Sequence, residues 1–175
     1  MEKLVRREIE HAQSGQKAYL IFKVNAIVDR RFIGLLYEAS QAGVKVDLLV
    51  RSMCCLIPGI KGVSDNIRVV SIVGRYLEHS RLYYFHNGGK EEIYTGSADL
   101  MTRNLDHRVE VVFPIENTEQ VRYLRDKILE AYLKDNLRGR VMRENGTYVR
   151  LKPQGDDKAV DVQELLMNNY RGKKA

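Results

Sequence analysis

The chain has 175 residues, 44% hydrophobic and 30% charged, a balance that suits a globular domain with its own core and excludes a disordered or collagen-like polymer. Its formal net charge of +6 points to an anionic partner such as nucleic acid, nucleotide, polyphosphate or an acidic membrane face. The only cysteines, Cys54 and Cys55, are adjacent and so poorly placed to bridge; no zinc-like spacing or signal-type apolar core occurs, and no apolar run approaches the roughly 20 residues of a membrane span.

Leu4, Val5, Ile9 and Ala12 share one helical face, and Gly15 stands where the helix would cap. Tyr19 to Val24 reads as a buried strand running into Asn25. Asp29 is placed to cap a helix with Phe32, Ile33, Leu35, Leu36 and Ala39 inward, stopped at Gly43. Val44 to Val50 is the next strand and delivers Arg51. Strand, helix, strand at this spacing implies a parallel pair with a right-handed crossover. Ligands of open α/β sheets gather beyond the carboxyl ends of such strands, where Asn25 and Arg51 lie.

Ser52 to Asp65 is irregular. Ile67 to Val73 forms a third strand that leads through Arg75 to His79, and Leu82 to Phe85 with Glu92 to Thr95 forms a hairpin around Asn87-Gly88-Gly89. Val109 to Phe113 is the last core strand. Asn117 and Gln120 box the start of a helix with Val121, Leu124, Ile128 and Tyr132 inward. Leu137 to Lys152 is a basic hairpin turning at Asn145-Gly146. Asp161 then opens a short helix using Val162, Leu165 and Leu166, and the final RGKKA is expected to fray. The expected organisation is one domain over 1–175, with 137–175 as a peripheral extension.

The strip from Arg75 to Glu110 carries the chemistry. His79 and Arg81 share a face of an extended segment, and Gly96-Ser97 and Arg103 follow after the hairpin. Histidine, arginines and small-residue backbone amides meet the needs of phosphoryl transfer, where positioning and electrostatics dominate. A lone histidine is more often a hydrogen-bonded turn residue, and a strand-end arginine such as Arg51 is as readily an ion-pair partner. Lys23 and Asn25 are placed to line a phosphate path, although a lysine there is commonly just solvated. Arg75, Arg103 and Arg108 either extend that path or are neutralised by Asp99, Asp106 and Glu110. Cys54 and Cys55 read as small core residues rather than nucleophiles. There is no Walker A or GxGxxG loop and no facing carboxylate pair.

The texts LVRSMCCLIPG, RYLEHSR and GSADLMTRNLDHRVEV resemble the C-terminal part of the ATP-dependent, long-chain polyphosphate kinases, with similarity along nearly the whole chain. That family's proteins are several-fold longer, so an excised C-terminal domain is expected. The resemblance implies a phospholipase-D-like α/β/α sandwich around a mixed, largely parallel sheet, with a small C-terminal hairpin and helix. It implies reversible transfer of the terminal phosphate of ATP to inorganic polyphosphate through a phosphohistidine in a preceding domain. His79 matches the family's assisting histidine, which also binds nucleotide, and Arg51 matches its nucleotide-phosphate-binding arginine. Lys23, Asn25, Arg75, Arg81, Ser97 and Arg103 are the candidate phosphate contacts.

The partners implied are ATP or ADP, polyphosphate, the other domains of the same enzyme and further copies of it, without sequence-specific nucleic acid. Mg2+ is expected with ligands outside this chain, so no metal residue is assigned. The setting implied is the cytoplasm or the periphery of the inner membrane. Against the phospholipase D pattern itself, Arg81 replaces a lysine, His86 an aspartate and Asp99 an asparagine. A phospholipase-D-type phosphodiesterase or nuclease acting as a dimer, and a non-catalytic basic nucleic-acid module, are the competing readings. The first lacks that lysine and asparagine, and the second lacks aromatic positions interleaved with its basic residues.

Overall fold

A computed structural model describes residues 1–171; residues 172–175, which hold most of the segment expected to fray, lie outside the described residues. Two strands with apolar residues on both faces form the centre, β1 (Tyr19–Val24) and β2 (Lys45–Val50). They pair in parallel from Tyr19 opposite Lys45 to Val24 opposite Val50, and β3 (Ile67–Ile72) adds in parallel beside β2. On the other side, β4 (Arg81–Phe85), β5 (Glu92–Gly96) and β6 (Val112–Pro114) extend the sheet antiparallel from β1. Beyond β3, β7 (Gly139–Met142) and β8 (Tyr148–Arg150) complete one sheet of order β6-β5-β4-β1-β2-β3-β7-β8.

Alternation along the strands divides the core in two. Leu20, Phe22, Val24, Val46, Leu48 and Val50 pack under α1 (Glu2–Gln13) and α2 (Arg30–Gln41). Ile21, Leu49, Val70, Leu82, Tyr84 and Ile93 face the opposite layer, made by the helix 118–133, which holds Val121, Leu129 and Tyr132, and by Val162. Local signals set the helix ends. The Asp29 carboxylate accepts the Phe32 N–H at 3.0 Å, and Asn117 accepts from Glu119 and Gln120.

The α/β class and the mixed sheet match expectation, but the parallel part is confined to β1, β2 and β3. The other five pairings are antiparallel, because hairpins and a returning strand, not crossovers, build both flanks. The basic hairpin joins the sheet, with β7 pairing along the free edge of β3. The last core strand is shorter than expected, and Val109 is fully exposed ahead of it. A short helix, α3 (Thr102–Asp106), has no periodic signal in the sequence. The helix α4 (118–133) contains a π-helical stretch, Leu124–Leu129, whose wider turn brings Leu129 rather than Ile128 to full burial. The last helix, α5 (Val162–Arg171), starts where Asp161 accepts the Gln163 N–H at 3.1 Å.

Candidate functional site

The carboxyl ends of β1, β2 and β3 open on a cavity of about 250 Å3. Lys23, Arg51 and Arg75 line it, together with Glu78, Ser80 and Tyr132. Three of the expected phosphate-handling cations therefore converge where an open α/β sheet gathers its ligands. His79 itself is exposed and is not part of the lining, although its neighbours on both sides are.

Lys23 sits in β1 on the same face as Ile21, and only 7% of the residue is exposed. A buried ammonium needs a counter-charge and acceptors. Its Nζ lies 3.1 Å from Glu78 Oε2, 2.9 Å from Ser80 Oγ and 3.3 Å from the Ser80 carbonyl. These match the three donors of an ammonium, so Lys23 is neither solvated nor free for a ligand. Burial pulls its pKa below the ordinary lysine value, and Glu78 only partly offsets that. For Glu78 burial pushes the other way, yet hydrogen bonds from Tyr132 and Gln163 and the Lys23 charge hold its carboxyl below the usual range.

Arg51 leaves the end of β2 and meets an amide rather than an acid. Its Nε donates to Asn25 Oδ1 at 2.9 Å, and one terminal nitrogen reaches the same oxygen. The Asn25 N–H donates to Asp99 Oδ1 at 2.7 Å, and Arg81 donates to Asp99 Oδ2 at 2.8 Å. The other Arg81 terminal nitrogen donates to the His79 carbonyl at 2.9 Å and stands 3.3 Å from its Nδ1. A guanidinium can only donate, so the contact assigns His79 Nδ1 as acceptor and leaves the proton on Nε2. Asn25, Asp99, Arg81 and His79 thus form one relay beside the cavity.

The other expected contacts lie apart from this relay. Ser97 donates to Glu110 and accepts the Val111 N–H at 3.1 Å, stapling β5 to the chain before β6. Arg103 is exposed on α3 with no side-chain partner among the described residues. The acids expected to neutralise Arg75, Arg103 and Arg108 go elsewhere: Asp99 to Arg81, Asp106 to Arg31 at 2.6 Å, and Glu110 to Ser97 and Asn104. Arg75 lies over the Tyr76 ring at 5.4 Å. Burial pushes the Cys54 thiol up to about 11, and Cys55 is exposed rather than in the core. Among the described residues no three His, Cys, Asp or Glu side chains converge as a metal site, and Glu78 and Asp99 are committed to cations, so these residues do not fit as Mg2+ ligands.

Sequence reading missed Glu78, Tyr132 and Gln163 as members of this site. One signal was available: a lysine inside the apolar strand text YLIFKV requires a buried carboxylate partner, and Glu78 is next to the marked histidine. Nothing comparable marked Gln163.

The sheet and its flanking layers define a phospholipase-D-like α/β fold. Nuc from Salmonella typhimurium, a phospholipase D family member, shares this fold with a TM-score of 0.54 at 16% identity over 79% of this chain and 90% of that one. Arg81 and Asp99, two of the three positions that depart from the phospholipase D pattern, pair with each other at 2.8 Å.

A closer kinship is specific. The profile of the family described as Polyphosphate kinase C-terminal domain 2 matches residues 1–163, and the chain belongs to that family. A polyphosphate kinase of Prochlorococcus marinus (strain MIT 9313) is 49% identical over 98% of this chain and 24% of its own length. One from Pseudomonas aeruginosa is 51% identical over 94% of this chain and 24% of its own length. The crystal structure of polyphosphate kinase from Porphyromonas gingivalis superposes with a TM-score of 0.91 at 40% identity, covering 97% of this chain and 26% of that one. The chain spans about a quarter of the length of the curated relatives it matches.

Proposed function

We propose that this domain forms the nucleotide- and polyphosphate-binding half of a composite active site that moves the terminal phosphate of ATP to inorganic polyphosphate and back. The observation that carries the reading is the convergence of Arg51 and Arg75 on one cavity at the strand ends, in a chain about half identical to polyphosphate kinases. Arg51 retains a terminal nitrogen beyond Asn25, and Arg75 has no acid partner among the described residues, so both offer donors to phosphate oxygens.

In this reading the phosphohistidine belongs to another domain of the enzyme. His79 faces it and donates from Nε2 to a phosphate oxygen as charge develops, while Arg81 fixes its tautomer through Nδ1. Lys23 and Glu78 hold the floor of the site rather than the substrate. Mg2+, if the enzyme uses it, takes its ligands from elsewhere, and the working form is a larger, homo-oligomeric cytoplasmic or membrane-peripheral enzyme. Among the described residues no helix is long and apolar enough to cross a membrane.

Amide and side-chain NMR titration of the chain with a non-hydrolysable ATP analogue and with tripolyphosphate tests the reading. Shifts centred on Arg51, Arg75 and His79 are expected, and shifts centred on the basic hairpin or α3 instead overturn it. The chain alone is expected to make no polyphosphate. Synthesis by it would refute the need for a second histidine.

A further inference from the structure

The segment from Val73 to Ser80 carries His79 with neither helix nor strand to hold it. Val73, Tyr76 and Leu77 are exposed, so apolar burial does not fix it either. Part of what fixes it comes from the other end of the chain. Gln163, in the first turn of α5, is 7% exposed and bonds across to this segment three times. Its Oε1 accepts the Tyr76 N–H at 2.9 Å, and its Nε2 donates to the Tyr76 carbonyl at 2.9 Å and to Glu78 Oε1 at 2.7 Å. One side-chain amide thereby satisfies both backbone groups of Tyr76, as a neighbouring strand would.

The surroundings are cut to this contact. A Cβ on Gly74 would stand 2.4 Å from Gln163 Oε1, so the close approach depends on the glycine. The second oxygen of Glu78 takes Lys23 and the Tyr132 hydroxyl, and Lys23 also holds Ser80. Residues on both sides of His79 are thus anchored, and Gln163 is the anchor supplied by α5. That helix is itself fixed, because the buried Asp135 carboxylate accepts the Val162 N–H at 2.8 Å.

We propose that Gln163 is a positioning residue: by bonding Tyr76 and Glu78 it sets where His79 stands relative to Arg51. This rests on the reading of His79 as the assisting histidine. The test uses hydrogen exchange on the chain, and kinetics in a full-length polyphosphate kinase carrying this domain, for Gln163→Leu, Gln163→Ala, His79→Ala and the double variants. Gln163→Ala also removes all three bonds without a larger apolar branch against Tyr76, so it serves should Gln163→Leu fail to fold.

Exchange at the Tyr76 amide should accelerate by about tenfold or more while the β1–β3 amides keep their protection. Turnover should fall roughly 10- to 100-fold, as expected for a displaced catalytic group. Adding His79→Ala should cost nothing beyond His79→Ala alone. Unchanged Tyr76 exchange overturns the clamp. Independent, multiplying losses in the double variants overturn its action through His79. Wild-type turnover by His79→Ala overturns the proposal through the reading beneath it, with the exchange data reporting separately on the clamp.

Discussion

Replacing Glu78 by Gln should destabilise the domain far more than its partial exposure suggests, because the cost falls on Lys23. The two side chains are 3.1 Å apart and 8% and 21% exposed, with the lysine the deeper partner. Removing one member of a buried pair leaves an uncompensated charge at about 3–5 kcal/mol, and the exposure of Glu78 argues for the lower end, about 3 kcal/mol. The new amide also meets a donor conflict. Lys23, Tyr132 and Gln163 all donate to Glu78, so an NH2 group on either branch of the substituted side chain faces another donor. For a chain of this size about 3 kcal/mol corresponds to a loss of roughly 6–12 °C in Tm. Lys23→Met in the Glu78→Gln background should return about 2 kcal/mol, since the stranded ammonium is gone. The assay is a double-mutant cycle by calorimetry and urea unfolding. A Glu78→Gln loss below about 0.5 kcal/mol, or strictly additive single variants, would refute the view that Lys23 is held by this carboxylate.

The same carboxylate sets an acid response. The Glu78 pKa is lowered from 4.5, so its stabilisation is complete above that pH and is lost as pH falls through the lower folded value. Urea midpoints should therefore differ most between wild type and Glu78→Gln near neutrality and converge below pH 4.5. Gly96→Ala would place a Cβ 1.9 Å from the Val111 carbonyl, and a loss of about 3 kcal/mol by thermal melting is expected from prying β6 off β5. Arg51→Ala should weaken binding of an ATP analogue by about 1.5–3 kcal/mol, roughly 10- to 150-fold by calorimetric titration, with little change in Tm.

Elements with a local signature were legible in the sequence. Asp29 and Asn117 marked their helix starts, and the near-continuous apolar text of YLIFKV marked β1 as a buried strand. What could not be read there depends on partners distant in sequence. The basic hairpin carries no sign that β7 will complete the free edge of β3, and the π-helical turn of α4 shifts burial without altering the apolar period enough to be noticed. The site divides the same way. Arg51 and Arg75 lie where strand-end reasoning puts them, whereas Asp99, one alternative partner for Arg75, Arg103 and Arg108, pairs instead with Arg81, two residues after His79.

A run of basic residues counts charges, but a phosphate responds to donors that are not already engaged. Lys23 has none to offer, with its three contacts on Glu78 and Ser80. Arg81 has both terminal nitrogens on Asp99 and His79. Those two cations build the site, leaving Arg51 and Arg75 to face the cavity with free donors. Under the proposed function two arginines are few for a terminal phosphate and a polyanionic chain together, which is the physical argument for a composite site over a complete one. The geometry also orders the losses. Removing Arg51 or Arg75 should act on ligand affinity first, and removing Lys23 or Arg81 should act first on the placement of His79.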